Sequence, residues 1–308
     1  MGVRQGQGRD HLNMHEAFAA YEAVRHRLPN AIQKGACTRL ANLDALADEI
    51  DVFLLDAFGV LNIGETAIAG VPERIAGLQK AGKRVLIVSN AAGAPHAKLM
   101  EKYARLGYEF DPKDVITSRK TILNALRSEP HRHWGLMAEQ SLGRADIDAL
   151  NVSFLEEERR VYDTVDAFLL IGSSAWTPDR HAMLEASLLA NPRPIFVGNP
   201  DIVAPREAGF STEPGAFAHR LADRTGIAPQ FFGKPFHNIY DLAFERVGKM
   251  TPDRTLMVGD SLHTDILGGQ VVGVKTALIA GYGFFSGNDV MAPIAQSGIC
   301  PDYILDRP

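Results

Sequence analysis

The chain has 308 residues, 46% hydrophobic and 22% charged, which is the composition of a globular protein with room for about two domains. A net charge of -5 at pH 7, with no long run of Lys or Arg, excludes the electrostatic footprint of a nucleic-acid or acidic-membrane binder, so neither is expected as a partner. Cys37 and Cys300 stand far apart in the sequence without a ligand neighbour at metal spacing, which argues against a disulfide framework or a zinc site.

In chain order, residues 1–10 are rich in Gly and Gln and are expected to be mobile. No apolar run follows Arg4 and Arg9, so no secretory signal is recognisable, and no apolar stretch reaches the roughly 18 residues of a membrane span. Cytoplasmic residence is the resulting expectation. Ala17, Phe18, Tyr21 and Val24 recur at helical spacing and predict a helix over 14–28, stopped by Pro29. A second short helix is expected over 42–49. Neither segment signals chemistry.

From residue 51 short apolar runs alternate with helical stretches. The runs are Val52–Leu55, Val85–Val88, Phe168–Ile171, Ile195–Val197, Leu256–Val258, Ala277–Ala280 and Tyr303–Leu305. Continuous β-rich runs separated by helices predict buried parallel strands, hence an α/β fold with a doubly wound parallel sheet. The span 125–227 separates two groups of polar strand-end residues and has strands and helices of its own. It reads as an inserted α/β domain, with a helical extension over 1–48 and a core over 49–124 and 228–308.

Ligands of open α/β sheets gather at the carboxyl ends of the strands, and three runs end there on polar residues. Phe53-Leu54-Leu55 leads into Asp56, Val85–Val88 into Ser89-Asn90, and Leu256–Gly259 into Asp260; Gly233-Lys234-Pro235 precedes a helix. For a phosphate ligand each type has a task. An ionised Asp56 can attack phosphorus. Asp56 and Asp260 offer hard oxygen ligands for Mg²⁺, Lys234 adds a second positive charge, and Ser89 with the N–H groups around Asn90 can bind the phosphate oxygens.

Asp56-Ala57-Phe58-Gly59-Val60-Leu61, Val88-Ser89-Asn90, Gly233-Lys234-Pro235 and Val258-Gly259-Asp260-Ser261-Leu262-His263-Thr264-Asp265-Ile266 resemble the four ordered motifs of the haloacid dehalogenase superfamily, from about residue 50 to 306. Only 33 positions separate Asp56 from Ser89 and 145 separate Ser89 from Lys234, so the insert falls late, as in the subfamily IIA phosphatases. Ile116-Thr117-Ser118, Gly198-Asn199-Pro200-Asp201 and Thr264–Gly269 are similar to local phrases of that subfamily. The resemblance implies a Rossmann-like core with a cap domain. It implies an Asp56 nucleophile assisted by Lys234, phosphate held by Ser89, Asn90 and Lys234, and Mg²⁺ held by Asp56, the Phe58 carbonyl and Asp260. Asp265 would orient the metal shell.

One position departs from the family. Most of its phosphatases carry a second Asp two positions after the nucleophile to protonate the leaving oxygen; here it is Phe58, whose ring transfers no proton. Three readings follow: a Mg²⁺-dependent phosphatase acting on a small phosphorylated metabolite, slow or helped by another acid such as His263, Asp201 or water; a non-catalytic phosphometabolite-binding protein; or a haloacid dehalogenase or phosphonate-type hydrolase. The late insert and the retained Asp260 and Asp265 weigh against a dehalogenase. A homodimer is compatible with the sequence but not indicated by it.

The remaining features have bland readings. His263 is expected to be a solvated loop residue and Asn62–Glu65 the turn of a small hairpin; Gly281–Gly287 follows a strand and could flank the mouth of the pocket, with a mobile loop as the default reading. Gly172–Thr177 and Glu213–Gly215 are loops able to line the substrate side of the insert. Glu156–Arg160 reads as a solvated face, and His131-Arg132-His133-Trp134 lacks the carboxylate or Cys partner of a metal tract.

Overall fold

The computed structural model describes residues 12–31, 34–206 and 209–308. The expected mobility of 1–10 lies outside the described residues. The chain runs through α1 (Met14–Ala23), β1 (Thr38–Leu40), β2 (Val52–Leu55), a hairpin of β3 (Asn62–Ile63) and β4 (Thr66–Ala67), α2 (Val71–Lys80), β5 (Arg84–Ser89), α3 (His96–Arg105), β6 (Val115–Thr117) and α4 (Ser118–Leu126). Then come β7 (Trp134–Met137), β8 (Val152–Phe154), α5 (Arg159–Thr164), β9 (Ala167–Leu170), α6 (Pro178–Ala190), β10 (Ile195–Val197), a hairpin of β11 (Val203–Pro205) and β12 (Phe210–Thr212), α7 (Pro214–Thr225) and β13 (Gln230–Phe231). Finally α8 (His237–Val247), β14 (Thr255–Gly259), α9 (Leu267–Val271), β15 (Lys275–Ile279), α10 (Met291–Ser297) and β16 (Tyr303–Leu305) complete the described order.

Two parallel sheets result. The larger has the order β1-β16-β15-β14-β2-β5-β6, the smaller β13-β10-β9-β7-β8. The fold is α/β with flanking helices, as the continuous apolar runs predict: β2, β14 and the last five residues of β5 are buried along their length. Because β14, β2 and β5 are neighbours, with Leu55 opposite both Val258 and Ile87, the residues that follow these strands emerge side by side at one sheet edge. That adjacency sets the position of the site. The smaller sheet ends on β13, beyond the edge expected at residue 227, because Phe196 and Val197 pair with Gln230 and Phe231.

The N-terminal segment departs most from expectation. Asn13 and Glu16 form a capping box, and Met14, Ala17, Phe18 and Tyr21 are buried along one face of α1. The helix stops at Ala23 rather than 28: one 3₁₀ turn follows, and Leu28, ahead of Pro29, is extended, as a residue before proline prefers. The helix expected over 42–49 is a 3₁₀ turn, Leu43–Leu46, whose two buried leucines stand three apart, the period of that helix. The segment also contributes β1, an exposed edge strand with no apolar run to announce it. Pairing of β1 with β16 brings the free thiols Cys37 and Cys300 together, though they are remote in sequence. Met14, Phe18 and Tyr21 pack against Val203 and Phe210 of the insert and against Leu262, Ile266 and Phe284 of the core. Thus α1 joins the two sheets. Among the described residues no helix is long and apolar enough to cross a membrane.

Candidate active site

Asp56 leaves the end of β2 with its N–H on the Val258 carbonyl at 2.9 Å, which continues the ladder to β14. Lys234 reaches it from the turn before α8: Nζ donates to Asp56 Oδ1 and to Asp265 Oδ1, each at 2.6 Å. Asp56, Asp260 and Asp265 each place one carboxylate oxygen within 4.8 Å of the others. Four of the expected residues therefore meet. Lys234 and Asp265 are buried at 2% and 1% side-chain exposure, against 14% for Asp56, which leaves Asp56 the member open to a ligand.

Local structure explains each placement. A single π-helical turn, Leu262–Ile266, puts both Asp265 N and Ile266 N on the Ser261 carbonyl and lets Asp265 Oδ2 accept from Ser261 N at 3.1 Å. The Asp265 carboxylate is thus held from two sides and points its other oxygen at Lys234. Asp260 Oδ2 accepts from Phe284 N at 2.9 Å. That approach requires Gly283, with φ 71°, since a Cβ there would fall 1.8 Å from the same oxygen. The Gly281–Gly287 segment is therefore part of the site and not the mobile loop expected, with Phe284 and Phe285 buried. Gly233 has φ 137°, and a Cβ on it would fall 2.5 Å from Asn90 Oδ1.

The Asn90 side chain is engaged within the protein. Its side-chain oxygen accepts from Lys234 N at 2.7 Å and Ser118 Oγ at 2.9 Å; its amide nitrogen donates to the Lys234 carbonyl at 2.9 Å and to Asp201 Oδ1 at 2.7 Å. Committed in this way, the side chain braces Lys234 and Asp201, and only the backbone of Asn90 is left to meet a phosphate. Ser89, 6% exposed, lines the cleft with Oγ accepting from Ala91 N at 3.3 Å.

The site carries more negative than positive charge. Burial alone would depress Lys234, but the Asp265 and Asp56 carboxylates outweigh it and hold its ammonium group charged. Burial pushes the Asp260 carboxyl well above the usual range, and Asp265 and Asp56 add to the effect. Burial also raises Asp265 to about 6 against the pull of Lys234. Three carboxylates share one ammonium, and a hard divalent cation suits such an all-oxygen set. Phe58 fits the same reading. The bonds of the turn that follows Asp56 fall on the Ala57 and Asn62 carbonyls, and the Phe58 carbonyl takes none of them.

A cavity of about 1020 Å³ opens from these residues between the two sheets. Phe58 and Lys102 line it from the core, Asp201, Trp176 and Arg220 from the insert, and Tyr21 from α1. The Gly172–Thr177 and Glu213 loops reach it, as their positions suggested. His263 does not belong to the solvent: it is 1% exposed, stacked on Tyr21 at 5.0 Å and bonded to Glu22, a contact no signal within its own loop announces. Tyr21 is the functional-site residue that the sequence hid, because a tyrosine on the buried face of an amphipathic helix reads as core. His133 bonds Ser153 and Trp134 is buried in β7, so that tract is structural.

Comparison with known proteins gives a consistent picture. A haloacid dehalogenase-like hydrolase family model matches residues 53–149, and a HAD-hydrolase-like model matches 231–307. The first match runs on into the insert as far as residue 149, the second starts beyond it, and both begin after α1 and β1. The human glycerol-3-phosphate phosphatase is 26% identical over 307 residues, covering 88% of this chain and 93% of its own length. The acid sugar phosphatase of Staphylococcus haemolyticus is 27% identical over 224 residues, covering 73% and 82%. A possible sugar phosphatase of the same superfamily from Cytophaga hutchinsonii superposes with a TM-score of 0.77 at 21% identity, covering 88% of this chain and 98% of that one.

Proposed function

Because this chain belongs to subfamily IIA of the haloacid dehalogenase superfamily of hydrolases, we propose that it is a Mg²⁺-dependent phosphoric-monoester hydrolase that works through an aspartyl-phosphate on Asp56. The observation that carries this reading is the double grip of Lys234 on Asp56 and Asp265, with Asp260 completing the carboxylate cluster. Lys234 orients the Asp56 carboxylate and offsets charge where the phosphate enters. The Ser89 hydroxyl and the backbone N–H groups after β5 bind the phosphoryl oxygens. Asp56, Asp260 and the Phe58 carbonyl would hold Mg²⁺, with Asp265 fixing the surroundings, and the ion would supply charge compensation to the phosphate. The insert over about 125–227 acts as the cap that selects the substrate. The relatives named glycerol-3-phosphate phosphatase and acid sugar phosphatase support a small phosphorylated metabolite as that substrate.

Phe58 favours one second reading, a protein that holds the phosphometabolite without turning it over. Hydrolysis of 4-nitrophenyl phosphate with and without Mg²⁺ separates the two. The phosphatase reading expects metal-dependent turnover in wild type that falls to background in Asp56→Asn. A wild type without turnover, together with a gain in Phe58→Asp, establishes the binder instead.

A further inference from the structure

Phe58 leaves the proposed reaction without a proton donor next to the nucleophile, and the insert holds a carboxyl group in the same cavity. Asp201 ends the loop after β10 and lines the cleft with Asp56 and Phe58. It is fixed from several sides. Asp201 Oδ1 accepts from Asn90 Nδ2 at 2.7 Å, and Asn90 also holds both the N–H and the carbonyl of Lys234, so one side chain sets Asp201 and the lysine that grips Asp56 in a common frame. Asn199 Oδ1 accepts from Asp201 N at 3.1 Å. The Tyr21 hydroxyl lies 3.3 Å from Ile202 N and 3.5 Å from the Val203 carbonyl, so α1 pins the two residues that follow. Gly215 packs so closely behind that a Cβ there would fall 2.1 Å from the Pro200 carbonyl oxygen. Among the described residues, Asp201 Oδ2 takes no hydrogen bond. The placement thus engages Oδ1 and the backbone of a residue that lines the cavity, and leaves Oδ2 without a hydrogen bond among the described residues.

We propose that Asp201 is the general acid–base residue of this site, transferring from the insert the proton that residue 58 cannot. Its protonation state agrees. Burial pushes the carboxyl up to about 8; the Asn90 bond and Lys234 oppose that rise, and Asp56 and Glu213 add to it, so the group carries its proton at neutral pH. The inference rests on the phosphatase reading given above. In the first half-reaction Asp56 forms a bond to phosphorus, the ester P–O bond breaks, and the Asp201 proton passes to the leaving oxygen, giving an alcohol and an Asp201 carboxylate. In the second, that carboxylate takes a proton from water as the water oxygen bonds to phosphorus. The Asp56–phosphorus bond then breaks, releasing inorganic phosphate and restoring Asp201 to its acid form.

The test is a leaving-group series. kcat/KM is measured with Mg²⁺ for 4-nitrophenyl phosphate, phenyl phosphate and propyl phosphate, in wild type and Asp201→Asn. A nitrophenolate ion leaves without a proton and a propoxide does not, so the ratio of the nitrophenyl to the propyl value is expected to rise at least ~10²-fold in the variant, the lower end of what general acid catalysis supplies. Loss of the base is also expected to produce a burst of about one nitrophenolate per protein before the steady state, since the phosphorylated Asp56 then waits for water. Equal losses on all three esters, with no burst, would show a structural role and overturn the proposal. So would a ratio that does not move. Wild type inactive on every ester overturns the phosphatase reading as well, which separates the two failures.

Discussion

On the core wall of the cleft, three carboxylates and a lysine interlock within two turns and the ends of adjacent strands, whereas on the insert wall Asp201 is held by Asn90 after β5, and Ile202 next to it by Tyr21 of α1. The core wall is a charge network in which removal of one member strands the rest. The surroundings of Asp201 on the insert wall are hydrogen bonds and ring contacts, each modest by itself, with one further ion pair, Arg206–Glu213, at the wall's edge. The contrast predicts that the core wall responds to substitution abruptly and the insert wall in small steps.

The largest effect is expected at Lys234. Lys234→Met leaves Asp265 buried and Asp56 partly buried without their shared cation, which costs about 3–5 kcal/mol. The turnover expected of wild type falls in addition by at least ~10²-fold. The insert offers the comparison. Arg220, exposed and 5.4 Å above the Phe217 ring, should cost less than about 1 kcal/mol when changed to Met. Urea unfolding of both variants at pH 7 makes the measurement, and comparable losses would remove the distinction between the walls.

A middle-sized effect is expected from pH. His219 in α7 is 2% exposed, stacked on Phe231 at 4.8 Å, and among the described residues neither ring nitrogen has a hydrogen-bond partner. Burial depresses its pKa to about 4, with Arg27 adding to the effect. The folded state therefore binds the proton less readily than the unfolded chain. The neutral ring's contribution is present in full above about 6.5 and is lost as pH falls through about 4, an amount of up to about 3 kcal/mol. Urea midpoints for wild type and His219→Phe should lie closest at pH 7 and diverge as pH falls toward about 4, with wild type losing the more stability. Parallel curves would mean that the acid sensitivity of the fold lies elsewhere.

The same contrast explains what was legible in the sequence. An apolar run long enough to be a buried strand, ending on a carboxylate, places that group at the sheet edge whatever surrounds it, so Asp56, Ser89 and Asp260 could be read locally, and Gly233-Lys234-Pro235 before a helix added the cation. Asp265 could be seen as a supporting residue, because its π-helical turn lies within the same motif. The insert wall and the seat of α1 depend on pairs that no local pattern encodes: Tyr21 meets Ile202 across 181 positions, and His263 meets Glu22 across 241. His263 and Tyr21 each had a satisfactory bland reading, as a solvated loop residue and as helix core. The strand Thr38–Leu40 was hidden for a related reason, since an exposed edge strand need not be apolar.

The smallest expected effect tests that long-range link. Tyr21→Phe keeps the ring stacked on His263 and edged toward Phe284, and removes only the hydroxyl. Both contacts of that hydroxyl, at 3.3 and 3.5 Å, are long, so their loss should cost about 1 kcal/mol, most of it from the Ile202 N–H left without a partner. Because Ile202 follows Asp201 directly, the change should also loosen Asp201. The nitrophenyl-to-propyl ratio of kcat/KM should then rise by about 2- to 5-fold, well below the effect of Asp201→Asn. A stability loss of this size without any change in that ratio would confine α1 to a bracing role. A shift in the ratio without a stability loss would mean that the hydroxyl acts on the ligand directly and not through the loop it holds.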